Sequence, residues 1–350
     1  MTAFEAPLAA TSVGSFPHQD AQAACDLVLE SHTEIPSWPQ LPAADLLEQM
    51  EIQFSEGLPR VVIDRARERM YFDTAGDPTS DLERFYENCL AENFDHFAIT
   101  EPYARGIEAI TKRLSADSHS SIKFFKCQVT GPISFGLSVV DENKRAVYYN
   151  EMFRDVLVKG MAMKARWQLR RFASLCPRRI CTVDEPILCA FGSSTYVSVT
   201  RHDVVSIIRE MVEAIHAEGA VAGIHCCGNT EWPIPIDAGV DLLSFDAHGY
   251  GDSILIYPAE MKVFLERGGI LAWGIVPTSE EIERHTVASL TAGFESLVDQ
   301  LAAKGVDREL ILNRALITAS CGTGTVPVPR SERITRLTKT LSDHLQNKYC

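Results

Sequence analysis

Basic residues are in short supply in this chain: 33 Lys and Arg stand against 47 Asp and Glu, for a formal net charge of −14. Such a surface repels polyphosphates and anionic headgroups, so neither a nucleic-acid nor a membrane partner is expected. Long apolar runs are missing too, and nothing approaches the roughly 20 residues that a bilayer-spanning helix needs. Residues 1–10 carry acid and no basic n-region, so no signal peptide is expected and the chain reads as cytoplasmic. There is no low-complexity linker, no short repeat and no block of like charge, which argues against a solenoid or a solvated tail. No glycine-rich dinucleotide fingerprint follows the first strand-like run. Paired Cys-X-X-Cys spacing, the mark of a closed structural zinc module, is also lacking.

What is there is 350 residues with ordinary hydrophobic (46 %) and charged (23 %) fractions, enough for one large barrel or two smaller domains. Short β-branched runs recur at 10–16, 96–99, 122–129, 180–183, 220–225, 242–245, 270–275 and 312–317. Several are continuously apolar, as parallel strands covered on both faces must be. Helical periodicity fills the intervals. Val204, Ile207, Ile208, Met211, Val212 and Ile215 line one face of a helix predicted over 203–218, which stops at Gly219. A second is predicted over 279–304, with Glu280 and Glu281 opening it. Eight strands alternating with helices predict a (β/α)8 TIM barrel spanning 1–350 as a single catalytic domain; a doubly wound open sheet is the alternative. The stretch 37–86 is expected to be an insertion or lid near the N-terminal part of the barrel.

The chemically useful residues fall at the C-terminal ends of the predicted strands: Ser15, Glu101, Thr130, Asp184 with Glu185, His225 to Cys227, Asp246 and Cys321. In a barrel those ends share one rim. At 223–228 (Gly-Ile-His-Cys-Cys-Gly), strand alternation sends His225 and Cys227 to one side and Cys226 to the other. Cys321, flanked by small residues, supplies a third soft ligand. Two thiolates and an imidazole select zinc, and a fourth position left open is the catalytic arrangement. Such a thiolate-rich site suits activation of a bound thiol better than hydrolysis. The plainer reading makes His225 a satisfied core histidine and the cysteines buried fillers, as Cys25, Cys89, Cys176 and Cys189 are expected to be. Asp246 is read as a fourth zinc ligand, a hydrogen-bond partner of His225, or simply a helix N-cap; His248 is a rival ligand.

These residues resemble a family. The segment 11–17 (Thr-Ser-Val-Gly-Ser-Phe-Pro) is similar to the start of the catalytic barrel of cobalamin-independent methionine synthase. Val129-Thr130-Gly131-Pro132, Val183-Asp184-Glu185-Pro186, His225-X-Cys227 and Ser320-Cys321-Gly322 follow in that family's order. The 225–230 run also resembles the methylcobamide:thiol methyltransferases of the uroporphyrinogen decarboxylase superfamily. The resemblance implies zinc on His225, Cys227 and Cys321, holding the sulfur of homocysteine. It implies that Gly14 and Ser15 face the amino acid's polar end and that Asp184 pairs with its α-amino group. Glu101 is a further candidate substrate contact, and Glu48 a candidate counterpart of the family's early glutamate. Asp246 stands where the family carries a ligating glutamate, one methylene shorter. The full-length enzymes have two barrel halves and use a polyglutamylated folate; this chain matches the C-terminal half. The implied activity is methyl transfer to homocysteine to give methionine, from a methylated corrinoid on a partner protein or from methyl-folate. Transfer to another small thiol, porphyrin decarboxylation on the related barrel, and a non-catalytic zinc site are the alternatives.

Overall fold

A computed structural model describes residues 4–116, 120–193, 196 and 198–350 of the chain. Six parallel strands form its centre in the order β3-β4-β5-β6-β7-β8: Phe125–Thr130, Arg179–Asp184, Val221–Cys226, Leu242–Phe245, Ile270–Val276 and Ala315–Ala319. They form a curled sheet flanked by helices, a mixed α/β architecture compatible with a TIM-like fold. A separate antiparallel hairpin, β1 (Val61–Asp64) and β2 (Arg69–Phe72), lies outside it. No helix among the described residues is long and apolar enough to cross a membrane.

Burial explains why these runs became strands. Nearly every strand residue of β3 to β8 is buried, because one face meets helices and the other meets the concave interior. Cys127, Val129, Cys181, Val183, Ile224 and Phe245 pack into the large outer core. On the concave side, Ala9, Ile180, Leu242, Ala272 and Leu316 form a small apolar floor. Above the floor comes a polar layer of Ser12, Lys126, Thr182, Ser244 and Thr318 around a small cavity. The helix Arg201–His216 buries the six apolar residues predicted for it, and the side chain of Thr200 caps its N-terminus by accepting from Asp203 N.

Both edges of the six-stranded sheet are hydrogen-bonded to N-terminal segments. Residues 8–11 run along β8 (Leu8 N to Ala315 O, 2.6 Å; Ile317 N to Ala9 O, 3.0 Å). Residues 34–37 run parallel to β3 (Lys126 N to Pro36 O, 2.9 Å). The two segments meet where Phe16 N bonds Gln40 O at 2.8 Å and Gln40 N bonds Gly14 O at 3.0 Å. A side-chain circuit then locks the second segment down. Trp38 Nε1 donates to Gln168, Gln168 Nε2 to the Gln128 carbonyl, and Gln128 Nε2 back to the Trp38 carbonyl.

Five expectations need correcting. The run 10–16 is no strand and makes only isolated bridges, Ala10 with Ile317 and Ser15 with Gln40. Cys89 is half-buried and Cys189 exposed, so neither is a buried filler as Cys25 and Cys176 are. The run 96–99 is no strand: Phe94–Phe97 is a 3-10 helix that buries Phe97 against the core. The stretch 37–86 is not wholly an insertion, because its first residues bond to β3 and to the Gly14 segment. The helix predicted over 279–304 comes in two pieces, Glu280–Arg284 and Val287–Ala303. Thr286 and Ser289 form a reciprocal capping box that starts the second piece afresh.

Candidate metal centre

Register puts the polar residues of the rim on one line. Thr130, Asp184, His225 and Ser244 are successive cross-strand partners on β3, β4, β5 and β6, so in parallel pairing their side chains share the concave face. One residue on, Cys226 points the other way into the outer core, where burial pushes its thiol up to about 12. Cys227 returns to the concave side. Cys321, two residues beyond the end of β8, completes the group, and one donor atom from each of His225, Cys227 and Cys321 lies within 4.8 Å of the other two. Tetrahedral zinc with these ligands would hold its donors about 3.5–3.8 Å apart, so a modest contraction suffices. Among the described residues this is the one His/Cys/Asp/Glu group that could hold a metal ion.

The electrostatics suit a cation. His225 is 4 % exposed; its Nδ1 meets Ser244 Oγ at 2.9 Å, and its buried Nε2 has no hydrogen bond of good geometry. Holding one ring nitrogen fixes the imidazole and leaves the other as a free donor. Cys227 and Cys321 share a proton unequally. The hydrogen bond with Cys321, and then the neighbouring His225 imidazole, hold the Cys227 thiol well below its ordinary value, while Cys321, bonded to Cys227 and buried, is raised. Two sulfurs and an imidazole nitrogen gathered at the strand ends make a soft donor set. The three residues could hold a metal ion.

Asp184 is buried next to His225, with Oδ1 lacking a partner. Burial raises its carboxyl to about 6, against the pull of His225 and Lys126. Its neighbour Glu185 does something else. Fully buried, it accepts from Ile133 N (2.9 Å) and Ser134 N (2.7 Å), closing the first turn of the helix Pro132–Ser138. A Cβ on Gly131 would overlap that carboxyl, which explains the Thr-Gly-Pro run: glycine makes room and Pro132 starts the helix. Glu185 is therefore a structural tie between the ends of β3 and β4.

Gly14 and Ser15 do reach the rim. Ser15 O accepts from Thr323 N (2.9 Å) and Thr323 Oγ1 (3.0 Å), and Ser15 Oγ accepts from Gly324 N (3.3 Å). A Cβ on Gly322 would collide with Ser15 Oγ, so glycine after Cys321 lets the two segments dock. Gly14 has φ +149°, and a side chain there would run into Gln128 and Gln40.

Asp246 lies outside the three-ligand group. Its side chain caps the short helix Ala247–Tyr250, with Oδ1 accepting from Gly249 N at 2.7 Å. The hydrogen-bond partner of His225 is Ser244, not Asp246. His248 pairs with Glu281 at 3.1 Å and stacks edge-on with His285. Glu101 is exposed on a turn after the 3-10 helix, so the strand end that singled it out does not exist. Glu48 is fully buried beside Arg105 (3.2 Å), and burial lifts it to about 7. Sequence reasoning overlooked Ser244 and Lys126. Ser244 interrupts an otherwise apolar strand and Lys126 opens the polar alternation Lys126-Gln128-Thr130 of β3; those polar residues are the signal that could have found them. Compared with protein-family models and with curated proteins, the chain finds no match in either.

Proposed function

We propose that the chain is a zinc-dependent S-methyltransferase that methylates homocysteine to methionine, on a (β/α)8 barrel completed by segments 8–16 and 34–40. The observation that carries the reading is the convergence of an imidazole nitrogen of His225 and the sulfurs of Cys227 and Cys321 at the strand ends. Hydrolytic zinc sites favour histidines and carboxylates, whereas a thiolate-rich set suits a sulfur nucleophile. We place the enzyme in the cytoplasm, where its thiols stay reduced.

In this mechanism His225, Cys227 and Cys321 would hold the metal, and Ser244 keeps the imidazole aimed. Zinc bound there would lower the acceptor thiol's pKa and keep its sulfur a nucleophile. Asp184, with Oδ1 free, accepts the α-ammonium group, since a buried carboxylate and a buried amine are each tolerable only together. Gly14 and Ser15 form the wall beside it. The acceptor sulfur then displaces the donor's leaving atom in line: the S–CH3 bond forms as the donor–CH3 bond breaks, and the thiol proton passes to solvent. The donor is a methylated corrinoid carried by a partner protein, or methyl-folate.

The test is metal analysis followed by X-ray absorption at the zinc edge, with and without homocysteine. One zinc per chain that gains a sulfur neighbour on adding homocysteine is the expected result. A metal-free protein, or a shell that no thiol changes, refutes the mechanism. A shell changed equally by simple thiols would shift the acceptor to a thiol without an amine.

A further inference from the structure

Lys126 is 4 % exposed and stands on the concave face of β3, in the polar layer directly below the rim. Placing an ammonium group there is costly, and burial pulls its pKa down against the attraction of Asp184. A cation in so poor an environment needs compensation, and the structure shows what it holds. Its Nζ donates to the carbonyl of Val13 at 2.8 Å, with a longer contact to Gln128 Oε1 at 3.4 Å. Val13 leads directly into Gly14 and Ser15, and Ser15 O receives two hydrogen bonds from Thr323, two residues beyond Cys321. Thr323 Oγ1 is fixed in turn by Ser331 at 2.7 Å. An unbroken path therefore runs from Lys126 through Val13, Ser15 and Thr323 to the loop that carries the third sulfur. His225 and Cys227 need no such path, because β5 itself places them. Cys321 lies beyond its strand: the ladder ends at Ser320, whose N–H bonds Val276 O at 2.8 Å, and past it the loop is held by the bonds from Thr323 to Ser15.

We propose that Lys126 is a positioning residue for Cys321, setting the third sulfur against the His225–Cys227 pair through the Val13–Ser15–Thr323 path. The inference rests on the metal-centre reading above and adds the residue that makes the site three-coordinate.

The experiment titrates Co2+ into the reduced, metal-free full-length chain and follows the thiolate-to-cobalt charge-transfer absorption. In Lys126→Met, Co2+ affinity is expected to fall about 10-fold, the lower end of what losing a direct partner of a ligand costs because Lys126 acts through Val13, Ser15 and Thr323, with a charge-transfer band closer to one thiolate than two. Thr323→Val attacks the path from its other end and should weaken binding in the same direction. The double variant should be no worse than the poorer single one, because links in series fail together. A purely structural lysine would lower the melting temperature and leave affinity and band unchanged, which overturns the proposal. If Lys126→Met does not fold, Thr323→Val decides by the same criterion. If the wild-type chain binds neither Co2+ nor Zn2+, the metal-centre reading falls, and amide exchange settles the path alone. Faster exchange at 13–16 and 321–324 in the variant upholds it; unchanged exchange there overturns it.

Discussion

Replacing Ser244 by alanine removes one oxygen, and its consequences can be worked out in advance. The hydroxyl is the hydrogen-bond partner of His225 Nδ1, at 2.9 Å on the neighbouring strand and in register with it. Both residues are buried, so water does not replace the lost bond. An orphaned buried ring nitrogen costs about 1–3 kcal/mol, and the metal-free protein should unfold in urea with that much less stability. The larger effect concerns the metal. Without the hydroxyl, nothing fixes the ring's rotation or its tautomer, and the lone pair on Nε2 is presented to the two sulfurs only part of the time. Loss of such a support weakens metal affinity by about 10- to 100-fold, or roughly 1.4–2.7 kcal/mol. Zinc competition against a chromophoric chelator measures this directly, and Ser244→Thr, which keeps the hydroxyl, should retain most of the affinity. If Ser244→Ala binds zinc within a factor of two of wild type, the hydroxyl does not orient His225 and the account of the centre is wrong.

Asp184→Asn should raise KM for homocysteine at least 10-fold while leaving a thiol without an amine within about twofold, since only the former uses the carboxylate; equal losses on both would remove Asp184 from the amine site. The same residue predicts a pH dependence. Its folded pKa of about 6 lies above the ordinary carboxylate value, so the folded state binds this proton more tightly than the unfolded one. That contribution is present in full below about pH 4 and is lost as pH rises through 6, for a change of ~3 kcal/mol. Urea midpoints of metal-free wild type and Asp184→Asn should therefore diverge over that interval in favour of the variant, and parallel curves would refute the assignment. Gly131→Ala forces the Glu185 carboxyl off two backbone donors and should cost about 2–5 kcal/mol in urea unfolding. Glu101→Ala, on an exposed turn, should change neither stability by more than about 0.5 kcal/mol nor zinc content.

What could be read from the sequence was whatever depends on local period. Apolar runs located all six strands of the central sheet, and simple alternation separated Cys227 from Cys226. Residues whose role depends on a distant partner were harder to read. Trp38 and Gln40 lie among prolines and carry no strand signature, yet they bond to β3 and to the Gly14 segment. The run 96–99 is apolar enough for a strand, but Phe94 and Phe97, three apart, satisfy a 3-10 turn instead. Asp246 was flagged both as a ligand and as a helix cap; its Oδ1 serves the backbone of Gly249. Ser244 and Lys126 became visible only once the register was known.

The N-terminal segment has its partner at the far end of the chain. Leu8 to Thr11 pair with β8, and Ser342 Oγ, 334 residues downstream of Leu8, donates to the Leu8 carbonyl at 2.6 Å. At ordinary rates of synthesis residues 8–11 wait about 15–70 s for their partners in β8 and the helix Val328–Tyr349 to exist. During that time Gly14 and Ser15 have no wall to form, and the exposed edge of a growing parallel sheet is open to wrong pairing. The Gly14–Ser15 segment and the loop that carries Cys321 thus meet only after β8 has been made, and the centre that would hold the metal cannot form before then.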